Sequence, residues 1–418
     1  MNFDIPKAQK KWVDLAASLV PEFRARARQY DDAAAYPAEN MNRLKELGFL
    51  GIGIPVEYGG HDLGENSSGI VQHLVVEKLS EACSSTGWNM MIHWVNCQVI
   101  VQNAHDPIRS KVLGDIARRG ALVGSLGSEV NTNALKTART EAEKLKIGSV
   151  LRPTKGGFLV SGTKHFCTLA PEADYVLIWA LAPGMTRNDD GLVISVVPKN
   201  SQGIKFNPQS WSECTGLRAS ASWSVELDDV LIPEENTLGQ PGDFVQNDPY
   251  TFDLGHIAHL IGTAQGVFDF TVNFVKQQDY LQSDQVYMYW LTEMHGGLQA
   301  ARSSFWYANW LWEQKDFERC LSPTYSALHT ARQVAAMVVE RAAEICGSRS
   351  LFKFFPIDRA ARDVRAGALH TRDTQLARLQ ANAILAGDRV FSKRKYGERL
   401  TQRKTWEDLG IQDRLRTA

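Results

Sequence analysis

The spacing of apolar positions changes twice along the chain. From Lys7 to about Arg119 the period is helical. The run Asn40, Met41, Leu44 and Leu47, closed by Gly48, predicts a short amphipathic helix, and Leu74, Val75 and Leu79 predict the next. Only Gly51 to Gly60 (GIGIPVEYGG) interrupts, where glycines and Pro55 break the period and predict a loop. Between about Ala121 and Pro233 the texture turns to short β-rich runs: Phe158 to Gly162, Tyr175 to Ala182, Leu192 to Pro198 and Trp223 to Leu231. Turn formers separate them at Gly156-Gly157, Pro183-Gly184 and Asp189-Asp190-Gly191. After about Gly239 the helical period returns, as in Val334, Met337, Val338, Ala342 and Ile345 closed by Gly347, and predicts a bundle. The expectation is an α+β fold with an N-terminal helical lobe over 1–120, a small antiparallel β domain over 121–238 and a C-terminal helical bundle over 239–418.

Composition narrows the function more than the fold. With 418 residues, 44% of them hydrophobic and 22% charged, the chain is globular and long enough for several lobes. A formal charge of −1 gives no field toward nucleic acid or an anionic membrane, so small or neutral partners are expected. The six cysteines are scattered, without a C-x-x-C pair or a cluster with histidine, so no metal is expected and the thiols read as reduced. No stretch has the length of a membrane span and the first residues, MNFDIPKAQKKW, lack an apolar leader, so a cytoplasmic location is expected.

Four motifs in order carry a family resemblance. Tyr36-Pro37 through Leu47-Gly48 and then Ile54 to Gly60 resemble an N-terminal P-x-x-x-x-x-x-L-x-x-x-G and P-x-x-Y-G-G stretch. Ser161 to Thr168 (SGTKHFCT) resembles an N-G-x-K-x-W-I-T signature, Thr215 to Ser222 (TGLRASAS) a G-x-R-x-T-x-S element, and Arg359 to Arg365 (RAARDVR) an R-x-x-R-D element. These are motifs of the acyl-CoA dehydrogenase superfamily, which the chain resembles over nearly its whole length. Within it, Ser128-Glu129-Val130-Asn131, the run Lys164 to Thr168, Trp211 ahead of the G-x-R element and the run ending at His370 resemble flavin-dependent monooxygenases of the dibenzothiophene monooxygenase type. The glutamate with which a dehydrogenase removes the substrate's α-proton is missing, since no glutamate occurs between Glu344 and Asp373. An alternative position on an earlier helix falls near Phe252, next to Asp253.

The resemblance implies a two-component monooxygenase that takes reduced flavin (FMN or FAD) from a separate NAD(P)H flavin reductase and uses dioxygen on a small aromatic or heteroatom-containing substrate. It implies His93, Thr168 and His370 as catalytic groups, and Ser128, Glu129, Asn131, Phe166, Thr168, Trp211 and Arg365 as flavin contacts, with Phe166 packed on the ring and Thr168 near its N5. It also implies a homotetramer. An arginine that the group carries after the first long C-terminal helix is replaced by the run Val275 to Asp279, in which Lys276 is the nearest cation. No G-x-G-x-x-G follows a strand, so no nicotinamide site is evident.

Each of these residues also has a structural reading. His93, between Ile92 and Trp94, has the setting of a hydrogen-bonded core histidine; His370 that of a cap or surface residue; Thr168 that of an ordinary strand residue. Arg218 and Arg365 have Glu213 and Asp363 beside them as ion-pair partners. The aromatic stretch Phe305 to Trp312 suits bundle packing or a subunit interface better than a substrate pocket. Two rival functions stand beside monooxygenation. One is a dehydrogenase or oxidase of a carbon acid with Asp253 or Asp373 as base; the other is a nucleic-acid-associated flavoprotein, for which the basic stretches Lys393 to Lys395 and Arg399 to Lys404 are the support.

Overall fold

Helices α1 (Lys7–Ala33), α2 (Ala38–Glu46), α3 (Gly69–Ala82), α4 (Ser84–Asn103) and α5 (Ile108–Arg119) build the N-terminal lobe. In the computed structural model residues 5–64, 69–129, 147–186, 188–244, 251–370, 374–387, 404–411 and 415 are described. Helices α3 and α4 carry apolar residues on nearly every face and are accordingly buried almost throughout. Between α2 and α3 the GIGIPVEYGG segment forms the expected loop, with two single 3₁₀ turns at Phe49–Gly51 and Val56–Tyr58.

The β domain holds β1 (Val123–Leu126), β2 (Arg152–Thr154), β3 (Gly157–Cys167), β4 (Tyr175–Leu181), β5 (Leu192–Pro198), β6 (Ile204–Asn207), β7 (Trp223–Pro233) and β8 (Thr237–Leu238). They form two sheets, in the orders β1-β4-β5-β8 and β2-β3-β7-β6. Among these strands pairing is antiparallel except that β1 joins β4 in parallel. It enters the sheet edge directly from α5 rather than through a hairpin.

Helices α6 (Thr251–Lys276), α7 (Gln285–Glu313), α8 (Phe317–Cys346), α9 (Ile357–His370) and α10 (Thr374–Leu385) form the C-terminal bundle. Helix α6 lies directly on α3, because Gly262 and Gly266 let backbones meet: a Cβ there would fall 2.2 Å from Glu77 O and 2.3 Å from Glu81 O. In the aromatic stretch of α7, Phe305 and Trp312 are core residues, while Trp306, Tyr307 and Trp310 are half-buried against that core.

The last described residues close the β domain rather than the bundle: the Trp406 ring lies 5.3 Å from Phe158, its Nε1 donates to Gly239 O at 3.0 Å, and Ile411 and Leu415 enter the β core. Among the described residues no helix is long and apolar enough to cross a membrane, and no group of histidine, cysteine and carboxylate side chains is arranged to hold a metal ion.

Candidate active site

The signature turn at the end of β3 is the structural centre of the site. Phe166 and Leu169 sit at φ 56° and 65°, a left-handed conformation that costs a side-chain-bearing residue on the order of 1 kcal/mol. The turn points Phe166 outward, 59% exposed, with its ring 6.2 Å from and edge-on to that of Trp211. Trp211 is itself fixed by an Nε1 bond to Arg218 O at 3.1 Å. Thr168 points inward and is buried. Its hydroxyl accepts from Trp88 Nε1 at 3.4 Å and shares a 2.7 Å bond with Ser222, which shares another of 2.7 Å with Ser220. A hydroxyl offers one proton and two lone pairs. When Ser222 donates to it, Thr168 has both lone pairs filled and its proton left to give.

The indole of Trp88 links this chain to two imidazoles on α6. His256 and His259 are fully buried, and their rings stand edge-on to Trp88 at 5.6 and 5.1 Å. His259 Nε2 is 2.8 Å from Ser84 Oγ, to which Thr263 donates at 3.1 Å. Neither histidine was singled out by sequence reasoning. The available signal was H-x-x-H with apolar neighbours, Leu254 to Ile261, which sets both rings toward one side of a buried helix.

The Leu217–Ser222 loop that supplies Ser220 and Ser222 is clamped from α9 and α1. Leu217 N donates to Asp363 at 2.7 Å. Arg362 grips the Asp31 carboxylate through both terminal nitrogens, at 2.6 and 3.0 Å, and donates to Thr215 O. Gly216 allows the approach, since a Cβ would meet Arg362 O at 2.3 Å. Complete burial pushes the Asp363 carboxyl up to about 7. The anticipated partners differ here. Arg218 donates to the carbonyls of Asp31 and Cys214 rather than to Glu213, and Asp363 receives a backbone amide while Arg365 lies exposed.

The remaining anticipated residues are placed as follows. His93 is fully buried; its Nε2 donates to Leu50 O at 3.1 Å and its Nδ1 accepts from Val123 N at 3.2 Å. Burial brings its pKa down to about 4, so the ring is neutral. Both nitrogens are spent on backbone, making His93 a strut between the Phe49–Gly51 turn and β1, a departure from the expected catalytic imidazole. Glu129 is likewise committed: it pairs with Lys164, which is fully buried, and accepts from Gly148 N and Ser149 Oγ at 2.7 and 2.6 Å. Lys164 also donates to Trp179 O at 2.6 Å. Burial opposes ionisation of both partners; in Glu129 the Lys164 charge and hydrogen bonds outweigh it, and its pKa falls. Ser128 O accepts from His165 N, tying the segment after β1 to β3. Asp253 is buried in the first turn of α6, one turn before His256, and Lys276 is exposed at its end. Asn131 and Asp373 lie outside the described residues, as do the basic stretches up to 403; for His370 only its place as the last residue of α9 is described.

An exposed phenylalanine held in a strained turn, braced by a tryptophan edge and followed by a buried hydroxyl, suits a planar aromatic ring carrying a hydrogen-bonding edge, and the flavin isoalloxazine has that form. Fold and site together describe a flavin-dependent oxidoreductase. Family models for the acyl-CoA dehydrogenase N-terminal, middle and C-terminal domains match residues 6–120, 132–230 and 254–374, and the chain belongs to the acyl-CoA dehydrogenase family. It is 25% identical over 393 residues to the short-chain specific acyl-CoA dehydrogenase of Clostridium acetobutylicum, covering 91% of this chain and 98% of that one. Solved structures that share the fold include the following two. The dibenzothiophene monooxygenase TdsC of Paenibacillus sp. A11-2, with FMN bound, has a TM-score of 0.81 and 19% identity over 93% of this chain and 100% of that one. A glutaryl-coenzyme A dehydrogenase in complex with glutaryl-CoA has a TM-score of 0.82 and 21% identity over 94% and 98%.

Proposed function

We propose that the protein is a monooxygenase that uses reduced flavin and dioxygen to oxygenate a small aromatic or heteroatom-containing substrate. The observation that carries this reading is the make-up of the buried wall behind the Thr168 turn. It is built of hydroxyl, indole and imidazole groups, from Ser220 and Ser222 through Thr168 and Trp88 to His256 and His259. Such a wall would exclude water and offer hydrogen bonds without a fixed charge, which suits an oxygenation.

Bound flavin, FMN or FAD, would supply the electrons and the reaction with dioxygen. Phe166 and Trp211 would hold its ring plane, Thr168 would donate at its edge, and backbone at Ser128 and Glu129 would lie along it. Trp88 keeps the Thr168 oxygen occupied from behind, and Ser222 fixes which way its proton points. His256 and His259 are imidazoles on the same side and would be the groups to hold or pass a proton there. Arg365 and His370 belong to α9, whose exposed face is suited to a flavin phosphate or a second subunit. The exposed Leu351, Phe352, Phe354, Leu369 and Leu385 support self-association into the homotetramer, and a separate NAD(P)H reductase would deliver the flavin.

A second reading, oxidation of an acyl thioester or another carbon acid, is favoured by one observation: Asp253 is a buried carboxylate one turn from His256. The two are separated by supplying chemically reduced FMN or FAD, ¹⁸O₂ and either indole or dibenzothiophene. Monooxygenation places one ¹⁸O in the organic product. Hydrogen peroxide formation alone, with no labelled product from any aromatic or sulfur compound tried, would remove the reading.

A further inference from the structure

Asn89 has no exposed surface, and among the described residues neither its Nδ2 nor its Oδ1 has a hydrogen-bond partner. A primary amide has two protons to give and two lone pairs to fill, so leaving all of them unmet inside a protein is costly. Two other asparagines of α4 have found backbone, Asn96 donating to Val123 O at 3.1 Å and Asn103 to Val99 O at 3.0 Å, and of the buried Gln98 only Nε2 lacks a partner among the described residues, whereas both polar atoms of Asn89 do.

The position of Asn89 says what it faces. Its neighbour Trp88 reaches Thr168, His93 one turn on accepts from Val123 N, and Asn96 two turns on donates to Val123 O. With about 100° between successive residues, Asn89 points between the direction of Trp88 and that of His93, into the seam separating α4 from the Thr168 turn and β1. Among the described residues this seam meets His93, held neutral by burial, and the hydroxyls of Thr168, Ser220 and Ser222, and the one carboxylate whose charge reaches His93 is the exposed Asp174.

We infer that Asn89 is the substrate-recognising residue of this site and selects a neutral group that both donates and accepts, an amide or lactam edge, over a carboxylate or a hydrocarbon. A carboxylate would meet the amide protons but would bring an uncompensated charge into the seam, whereas a hydrocarbon would leave the amide as unmet as it is now. An amide edge presents its carbonyl to Nδ2 and its N–H to Oδ1 in one plane. This inference deepens the proposed function by naming the substrate's polar group, and it rests on the flavin-site reading of the Thr168 turn rather than on the fate of oxygen.

The test is calorimetric titration of the flavin-loaded protein with three compounds of like size, benzamide, benzoate and ethylbenzene, in the wild type and in Asn89→Leu. The wild type should bind benzamide at least tenfold more tightly than either of the others. Asn89→Leu should erase that preference with flavin affinity kept and the melting temperature equal or raised. Asn89→Ser makes the same comparison if the leucine variant does not fold. The inference is overturned if benzamide has no advantage in the wild type, or if the advantage survives in the variants; a more stable leucine variant with unchanged benzamide binding would assign the amide to internal water. Because binding is measured without turnover, an Asn89-dependent preference for benzamide alongside a failure to incorporate ¹⁸O would refute the monooxygenase reading and leave this one standing.

Discussion

Two fully buried groups should titrate against each other and hide one another's effect on stability. The Asp363 carboxyl, at about 7 in the folded protein, keeps its proton across a range in which the unfolded chain has lost it. Its contribution is therefore complete below the ordinary carboxylate value and is lost as pH rises toward 7, at about 1.4 kcal/mol per unit. His93, at about 4, does the opposite. The unfolded imidazole binds a proton below about 6.5 that the folded one refuses, so its contribution is complete above that value and is lost as pH falls toward 4. Between pH 4 and 6.5 the two slopes cancel. Asp363→Asn keeps an acceptor for Leu217 N and removes one of them. Relative to wild type, its unfolding free energy should rise with pH by about 1.4 kcal/mol per unit, reaching about 4 kcal/mol over the roughly three units between the ordinary and the folded value. His93→Gln should show the reverse trend over about 2.5 units, amounting to about 3 kcal/mol. Urea unfolding of the three proteins at half-unit steps from pH 4.5 to 7.5 measures both differences. A wild type to Asp363→Asn difference that is flat across that range would refute the assignment of a buried, protonated Asp363.

Three further outcomes follow from the same geometry. Lys164→Met leaves the Glu129 carboxylate without its counter-charge and should cost about 3 kcal/mol, read as a fall in the urea midpoint with unchanged slope. Gly216→Ala puts a methyl against the Arg362 carbonyl and should destabilise by about 2 kcal/mol through overpacking, while also loosening the loop that carries Ser220 and Ser222; the melting temperature and flavin retention on gel filtration check both effects. Thr168→Val keeps the shape of the turn but removes the hydroxyl that Trp88 and Ser222 address; flavin affinity should fall by about tenfold, the worth of one hydrogen bond, and the flavin-free protein should lose about 1–2 kcal/mol, read from its urea midpoint, because the buried Trp88 Nε1–H loses its acceptor.

The layering was legible in the sequence because period and turn chemistry are local. Leu74, Val75 and Leu79 do form a buried helix, and a turn at Gly156 does separate β2 from β3. Features set by contacts between distant segments were not legible. The parallel pairing of β1 with β4 and the docking of Trp406 on Phe158 leave no local pattern. The same division holds in the site. Phe166 and Thr168, proposed here as flavin contacts, lie on a turn that is continuous in sequence, so the motif that suggested them is local. The partners of His93, Leu50 O and Val123 N, are backbone atoms that any residue supplies and so leave no trace in the sequence. His256 and His259 acquire meaning only beside Trp88, which comes from another helix far away in the chain. Arg362, which grips Asp31, stands three places before Arg365, and a motif cannot say which of two arginines on a helix turns inward.

The central claim, oxygen transfer rather than carbon-acid oxidation, is tested most directly without oxygen. The oxidised flavoprotein is mixed anaerobically with a series of acyl-CoA esters from short to long chain while its visible flavin absorbance is followed. The account predicts that the flavin band keeps its intensity with every ester, in the wild type and in Asp253→Asn alike. Rapid loss of the band with any one thioester, abolished by Asp253→Asn, would contradict it and make Asp253 the base of a dehydrogenase.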